Sequence, residues 1–216
     1  MRNIAKILVL VAASFATLGA GQAPPERHIE FSQEDRAALD KISAYLNGLR
    51  TVQGEFAQLD PNGDMEEGKV YIAKPGKMRF EYAPPSPLLV VSDGRMVAVF
   101  NKKLSTVDRY PLSETPLDLL LGDKIDLRRN DAIVAVKRDN SSIIVEARTS
   151  KNRKTPNIAI TFSQSPLELR QWTIIDDQGL STSVALRNLQ SGVAISNALF
   201  VLREATKPAV GTKSRD

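Results

Sequence analysis

Residues 68–82 read GKVYIAKPGKMRFEY, and their pattern indicates the fold class. In its second half the apolar residues Met78, Phe80 and Tyr82 alternate with charged ones, which is the period-two pattern of a strand with one apolar face. The residues Lys74–Lys77 (KPGK) carry the proline and glycine that are typical of a tight turn. The stretch therefore predicts two antiparallel strands joined by a short turn.

The same signals continue on both sides of this hairpin. Upstream, TVQGEFAQLD (Thr51–Asp60) ends at a Pro-Asn-Gly-Asp turn, and downstream LLVVS is followed by the Asp93-Gly94 turn into RMVAVF. Further strand segments follow at short intervals up to ALFVL near residue 202. We predict about ten or eleven strands in a mainly β, antiparallel protein.

Two helical segments interrupt the strand pattern. Ser32 precedes a segment in which Ala38, Ile42 and Leu46 recur at helical spacing, so we predict an amphipathic helix capped by Ser32. In residues 115–122 (TPLDLLLG), Thr115 is expected to cap a short leucine-rich helix that ends at the glycine. A highly curved sheet with both helices on its concave side accommodates all of these elements.

The N-terminal segment has the pattern of a secretory signal peptide. Positive charges precede an apolar run at Ile7–Leu18, and small residues follow it. We therefore predict a signal peptide over residues 1–23, one domain over 24–204, a polar tail over 205–216 and a periplasmic location. The alternative is that the apolar segment stays uncleaved and anchors the chain, although it is short for a membrane span.

Composition argues against several classes of function. The chain has no cysteine and one histidine, His28, so neither a Cys–His nor a Ser–His–Asp arrangement is expected in the domain, and no metal site or cofactor is predicted. The net charge of +4 is dispersed and does not predict nucleic-acid binding. We expect no enzyme, although a pair of carboxylates from distant strands is an arrangement that sequence alone leaves open.

Several segments, taken in order, resemble the periplasmic outer-membrane lipoprotein carrier family (LolA-like). They are Val52–Gln58, Gly68–Tyr82, Pro84-Pro85, Leu89–Gly94 and Thr115–Leu117. The resemblance implies an incomplete β-barrel with a helical lid over an apolar cavity for acyl chains. It also implies a monomer that receives acylated lipoproteins from an inner-membrane ABC transporter and passes them to an outer-membrane acceptor, where one exists.

The candidate site follows from the strand pattern and the resemblance together. We expect these apolar residues on the concave side as lipid-binding residues: Met78, Phe80, Tyr82, Leu89, Val91, Met96, Val99, Leu117, Leu120, Leu121, Trp172 and Ile174. The family has a basic residue, usually arginine, before the proline of the turn, and this residue fastens the lid. Lys74 has that position here, and Arg79 is a second candidate for the latch.

Each assignment has a simpler alternative. The apolar residues would equally suit an ordinary sandwich core, and Lys74 would equally suit a solvated turn. For the whole protein, the alternative function is a module of the same half-barrel architecture that senses lipids or lipoproteins.

Overall fold

The computed structural model describes residues 30–148, 157–176 and 178–202, and eleven strands lie in this part of the chain. The strands are β1 Thr51–Leu59, β2 Met65–Ala73, β3 Lys77–Tyr82, β4 Leu88–Asp93, β5 Met96–Asn101, β6 Thr106–Pro111, β7 Ile133–Arg138, β8 Ser142–Ala147, β9 Ile158–Gln164, β10 Leu167–Ile175 and β11 Ser181–Ser191. The expected signal peptide at 1–23 and the tail at 205–216 lie outside the described residues.

All eleven strands form one antiparallel sheet in the order β6-β5-β4-β3-β2-β1-β11-β10-β9-β8-β7. Two meanders, β1–β6 and β7–β11, are joined where β1 pairs with β11. The consecutive strands β6 and β7 therefore lie at opposite edges of the sheet, which is not closed into a barrel. The predicted mainly β, antiparallel incomplete barrel is confirmed.

The sheet curls strongly, as two side chains on distant strands show. Phe80 lies on β3 and Trp172 on β10, and three strands separate them in the sheet order. Neighbouring strands lie about 4.8 Å apart, so a flat sheet would separate these residues by about 19 Å. Their ring centroids are 6.0 Å apart. The two rings therefore meet across the interior of the curled sheet.

The face that carries Met78, Phe80 and Tyr82 is called the inner face below. Helix α1 (Gln33–Gly48) packs against it and buries Leu39, Ile42 and Leu46 in the same core. Ser32 caps α1 as predicted, because its hydroxyl accepts a hydrogen bond from the Asp35 N–H while the Asp35 carboxylate accepts one from the Ser32 N–H.

The connection from β6 to β7 contains three short helical elements. They are the 3-10 turn Leu112–Glu114, the four-residue helix α2 (Asp118–Leu121) and the 3-10 turn Leu127–Arg129. The predicted cap at Thr115 is wrong, since α2 begins two residues after Pro116 and the Thr115 hydroxyl donates instead to the Leu112 carbonyl. Threonine also favours this local bond to a preceding carbonyl, and here that bond prevails.

The opposite, outer face is covered at one place by the C-terminal segment. The 3-10 turn Asn197–Phe200 contacts β3 and β4, and Phe200 is only 2% exposed. Leu89 and Val91 of β4 are buried on this side of the sheet. The protein thus has apolar contacts on both faces of the β3–β4 pair.

Candidate functional site

An apolar cavity lies between the inner face of the sheet and the two helices. Its lining comprises Leu46, Leu49, Val52, Ile72, Lys74, Met78, Leu117, Leu120, Leu121, Leu169 and Trp172. All but one of these side chains are hydrocarbon, thioether or aromatic. The cavity measures about 20 Å³, room for about one water molecule, because the leucines of α1 and α2 fill most of the space.

One row of strand residues forms the wall of the cavity nearest the lid. In the register of the sheet, Val52 on β1 is opposite Ile72 on β2, and Ile72 is opposite Met78 on β3. Residues opposite each other in antiparallel strands point to the same face, so these three side chains lie side by side under the lid. The β1–β2–β3 meander therefore supplies a continuous aliphatic wall.

Helix α2 supplies the leucines that close the cavity. It is too short to be stable alone, and its last carbonyl, that of Leu121, accepts a hydrogen bond of 2.8 Å from the Gly76 N–H. Gly76 has φ +73°, and a Cβ there would meet the Cα of Gly94 at 2.6 Å. Glycine at this position thus lets the β2–β3 turn hold α2 by its backbone.

Helix α1 is held by polar side chains along the edge that faces the β6–β7 connection. The Asn47 amide donates to the Ile125 carbonyl and accepts from the Ile125 N–H, at 2.8 and 2.9 Å. The buried Ser43 hydroxyl accepts from the Leu127 N–H at 3.0 Å. These bonds join α1 and the segment after α2 into one lid.

Lys74 connects this lid to the sheet. Its Nζ donates to the Leu46 carbonyl in the last turn of α1, at 2.9 Å. Burial, with a smaller contribution from the nearby Arg50, lowers the pKa of Lys74 to about 8, against an opposing effect of Asp123. A half-buried cation thus lies at the carbonyl end of a helix, which the helix dipole favours. The contact expected for the latch is present, and its role in opening remains a prediction.

Arg79, the second candidate for the latch, lies on the outer face. Its guanidinium donates to Glu81 at 2.6 Å and to the carbonyl of Leu199 at 2.9 Å. The expectation that it holds the lid is wrong, because alternation along β3 directs Arg79 away from Met78 and Phe80. It holds the C-terminal segment instead.

The expected lipid-binding residues divide between the two faces. Leu89 and Val91 are opposite Glu81 and Arg79 in the register, and Met96 has the outward parity of β5. Their assignment to the concave side is wrong, because β4 and β5 are apolar on both faces and alternation gives no sign of which is inner.

The remaining expected residues lie on the inner face or in the lid. Met78, Leu117, Leu120, Leu121 and Trp172 line the cavity. Phe80, Tyr82 and Ile174 belong to the adjoining core, and Val99 shares their face through its pairing with Val90, which is itself opposite Phe80. Lipid contact by these residues stays a prediction.

Five lining residues were not predicted. Leu46 and Leu49 come from the end of α1, Val52 and Ile72 from the row opposite Met78, and Leu169 from the start of β10. The sequence signal for Val52 and Ile72 was available, since they follow from the hairpin register once Met78 is taken as an inner residue. The assignment of Leu46 and Leu49 to the lining requires knowing where α1 lies over the sheet, which the sequence pattern does not indicate.

The described ranges contain neither a cluster of metal-ligating side chains nor a membrane-spanning helix. No group of three or more His, Cys, Asp or Glu side chains there could hold a metal ion. No helix in the same residues is long and apolar enough to cross a membrane.

Comparison with known proteins identifies this architecture. The family model described as outer membrane lipoprotein carrier protein LolA matches residues 47–203. The chain belongs to this family. The match includes β1–β11 and α2, and thus every strand and lid residue of the cavity except Leu46.

Individual relatives are distant. The chain is 27% identical to an outer-membrane lipoprotein carrier protein of Chromobacterium violaceum, over 86% of this chain and 88% of that one. It is 26% identical to an uncharacterized protein of Rickettsia prowazekii, over 67% of both chains. A solved structure of an uncharacterized conserved protein from Thermus thermophilus is similar at a TM-score of 0.47 and 11% identity, covering 78% of this chain and 93% of that one.

Proposed function

We propose that this protein carries acylated lipoproteins through the periplasm, without catalysis, and shelters their acyl chains in the cavity under the lid. The carrier would receive its cargo from an ABC transporter in the inner membrane and deliver it to the outer membrane. Family membership supports a role like that of a lipoprotein carrier. The observation that carries the proposal is an apolar cavity that is closed by leucine side chains of the lid.

The leucines matter because of the energetics of carrying lipid. Each buried methylene is worth about 0.8 kcal/mol, so a chain of about sixteen carbons disfavours water by on the order of 12 kcal/mol. In this protein Leu117, Leu120 and Leu121 already occupy much of the space under the lid and leave only a small cavity. Loading would replace the buried leucines by a buried acyl chain, so the inner face of the sheet stays covered in both states. Release stays feasible because the leucines return to the space that the acyl chain leaves.

The polar contacts of the lid fit the same cycle. Lys74 to Leu46 and Gly76 to Leu121 each join the lid to one turn of the sheet. A neutral hydrogen bond such as that of Gly76 contributes about 0.5–1.5 kcal/mol net and one with a charged donor about 1.5–3 kcal/mol, and both are small beside the burial of an acyl chain. The lid can therefore close firmly and still be displaced by lipid.

A displacement assay tests acyl-chain binding. We expect an environment-sensitive apolar dye to bind the purified protein and to be displaced by a triacylated lipopeptide but not by the same peptide without acyl chains. Leu120→Glu, which puts a charge among the buried lid leucines, should abolish dye binding. Leu104→Glu is the matched control, since Leu104 is 67% exposed and distant in sequence from the lining residues.

The outcomes separate the candidate functions. Equal competition by the deacylated peptide would contradict the carrier proposal and favour recognition of protein. Binding of lipopeptide without transfer of a labelled lipoprotein to outer-membrane vesicles would favour a sensing module instead. Release of free fatty acid during incubation would contradict the absence of catalysis.

A further inference from the structure

Beneath the aliphatic wall of the cavity, the interior is filled by four aromatic rings in mutual contact. Phe80 lies 6.0 Å from Trp172, 4.7 Å separates Phe80 from Phe56, and 4.9 Å separates Phe56 from Tyr82, all measured between ring centroids. Each of these three contacts is edge to face, an arrangement that stabilises aromatic pairs beyond the burial of their surface. These four residues are called the aromatic column.

The register of the sheet places the column in successive rows. Moving away from the lid along β3, inner positions are Met78, then Phe80, then Tyr82, about 6.8 Å apart from one to the next. Met78 and Trp172 line the cavity, whereas Phe80, Phe56 and Tyr82 do not. The cavity therefore ends where Trp172 and Phe80 meet across the interior.

The far end of the column is firmly held. A Cβ on Gly68 would lie 2.7 Å from the ring of Phe56, so this glycine leaves the space in which the ring is seated. The Tyr82 hydroxyl donates to Gln58 at 2.7 Å, and burial raises the pKa of Tyr82 to about 12. Phe56 and Tyr82 are thus fixed by backbone and polar contacts.

Phe80 and Trp172 have a different support. They are 5% and 3% exposed and come from opposite walls, and their mutual contact bridges the interior without a hydrogen bond between them. An acyl chain that enters under the lid would meet this pair first. Further penetration requires the two rings to separate, at the cost of their contact and of the packing of Phe80 against Phe56.

We propose that the Phe80–Trp172 pair is the floor of the acyl-chain cavity and sets the longest acyl chain that this carrier buries. This inference rests on the proposed function, because it assigns the length limit of the same site. A chain longer than the floor allows would leave its excess methylenes outside. Lipoproteins would then be discriminated by chain length through these two rings and not through the lid.

The experiment measures affinity by isothermal titration calorimetry for a series of monoacylated peptides that differ only in chain length. In the wild type, each added methylene should strengthen binding by about fourfold until the floor is reached, after which affinity should stay constant. In Phe80→Ala and Trp172→Leu this plateau should move to longer chains. Phe80→Leu, which keeps most of the apolar volume, should move it less and is expected to fold in any case.

One control variant separates the floor from general loosening. Phe162→Ala removes a fully buried ring on β9 that contacts Tyr45 and belongs to neither the column nor the lining, so stability should fall without a change of plateau.

The failures are distinguishable. A wild-type protein that binds no acylated peptide contradicts the proposed function. A wild-type plateau that stays in place in Phe80→Leu, Phe80→Ala and Trp172→Leu overturns the floor and leaves the carrier intact. Affinity that rises through the whole series in the wild type overturns the floor as well.

Discussion

Two cations flank the β2–β3 turn, and each holds a segment from elsewhere in the chain by a backbone carbonyl. Lys74 binds α1 on the inner side through one hydrogen bond, and its ammonium carries a lowered pKa because it is half-buried. Arg79 binds the C-terminal segment on the outer side and is also paired with Glu81. The lysine contact is called the inner latch and the arginine contact the outer clamp.

The difference between them follows from side-chain chemistry. Arginine offers a planar fork of five donors and can hold a carboxylate and a carbonyl together, whereas lysine offers one compact ammonium. In the outer clamp the partly buried guanidinium has a counter-ion at 2.6 Å. The inner latch has a partly desolvated cation bound to a neutral carbonyl, which is weaker and easily rehydrated. The outer clamp is therefore suited to a segment that stays in place, and the inner latch to a lid that opens.

The largest effect is expected from removing the apolar anchor of the clamped segment. Phe200→Ala should lower the free energy of unfolding by about 3–5 kcal/mol, because the ring is almost fully buried against the outer face. Denaturant unfolding measures this. Val201→Ala is the control, since Val201 is 58% exposed and should change little. Equal, small losses in both variants would mean that the segment is not part of the stable fold.

A smaller effect is expected from breaking the outer clamp itself. Arg79→Leu should cost about 1–3 kcal/mol, since it removes a charged hydrogen bond and leaves Glu81 without its partner. Hydrogen exchange at 197–201 should become faster while lipopeptide affinity stays the same. The loss of stability in Arg79→Lys should lie between that of the wild type and that of Arg79→Leu. A loss of lipopeptide affinity in Arg79→Leu would show that the two faces of the sheet are coupled. It would contradict the distinction between an outer clamp for stability and an inner latch for function.

The smallest change in stability is expected from the inner latch. Lys74→Leu should cost about 1 kcal/mol, seen as about fivefold faster exchange of the amides in the last turn of α1. Its effect should appear in function: the variant should accept lipoprotein, hold it longer and transfer it poorly, because closing the lid gains less free energy. Lys74→Arg should behave as the wild type. Transfer at the wild-type rate by Lys74→Leu would make Lys74 only a turn residue.

The sequence predicted the strand faces and turns correctly where the surroundings of a residue depend on its neighbours in the chain. The alternation in β3 correctly assigned Met78, Phe80 and Tyr82 to one face, and the turn after β2 was placed correctly. The same reasoning failed for Leu89, Val91 and Met96, because β4 and β5 are apolar on both faces and the outer face of β4 is contacted by a segment more than a hundred residues later. The partners of Lys74 and Arg79 likewise depend on how distant segments fold back over the sheet.

The pairing of β1 with β11 has a consequence for the rate of folding. Every other neighbouring pair in the sheet is consecutive in sequence, whereas Val52 and Ser191 are joined across nearly the whole domain. Closing so long a loop carries a large entropic cost, and non-local pairing of this kind slows folding. We therefore expect the two meanders to form early and independently and to join in the rate-limiting step. The interior cavity, which needs both walls, would be the last part of the molecule to form.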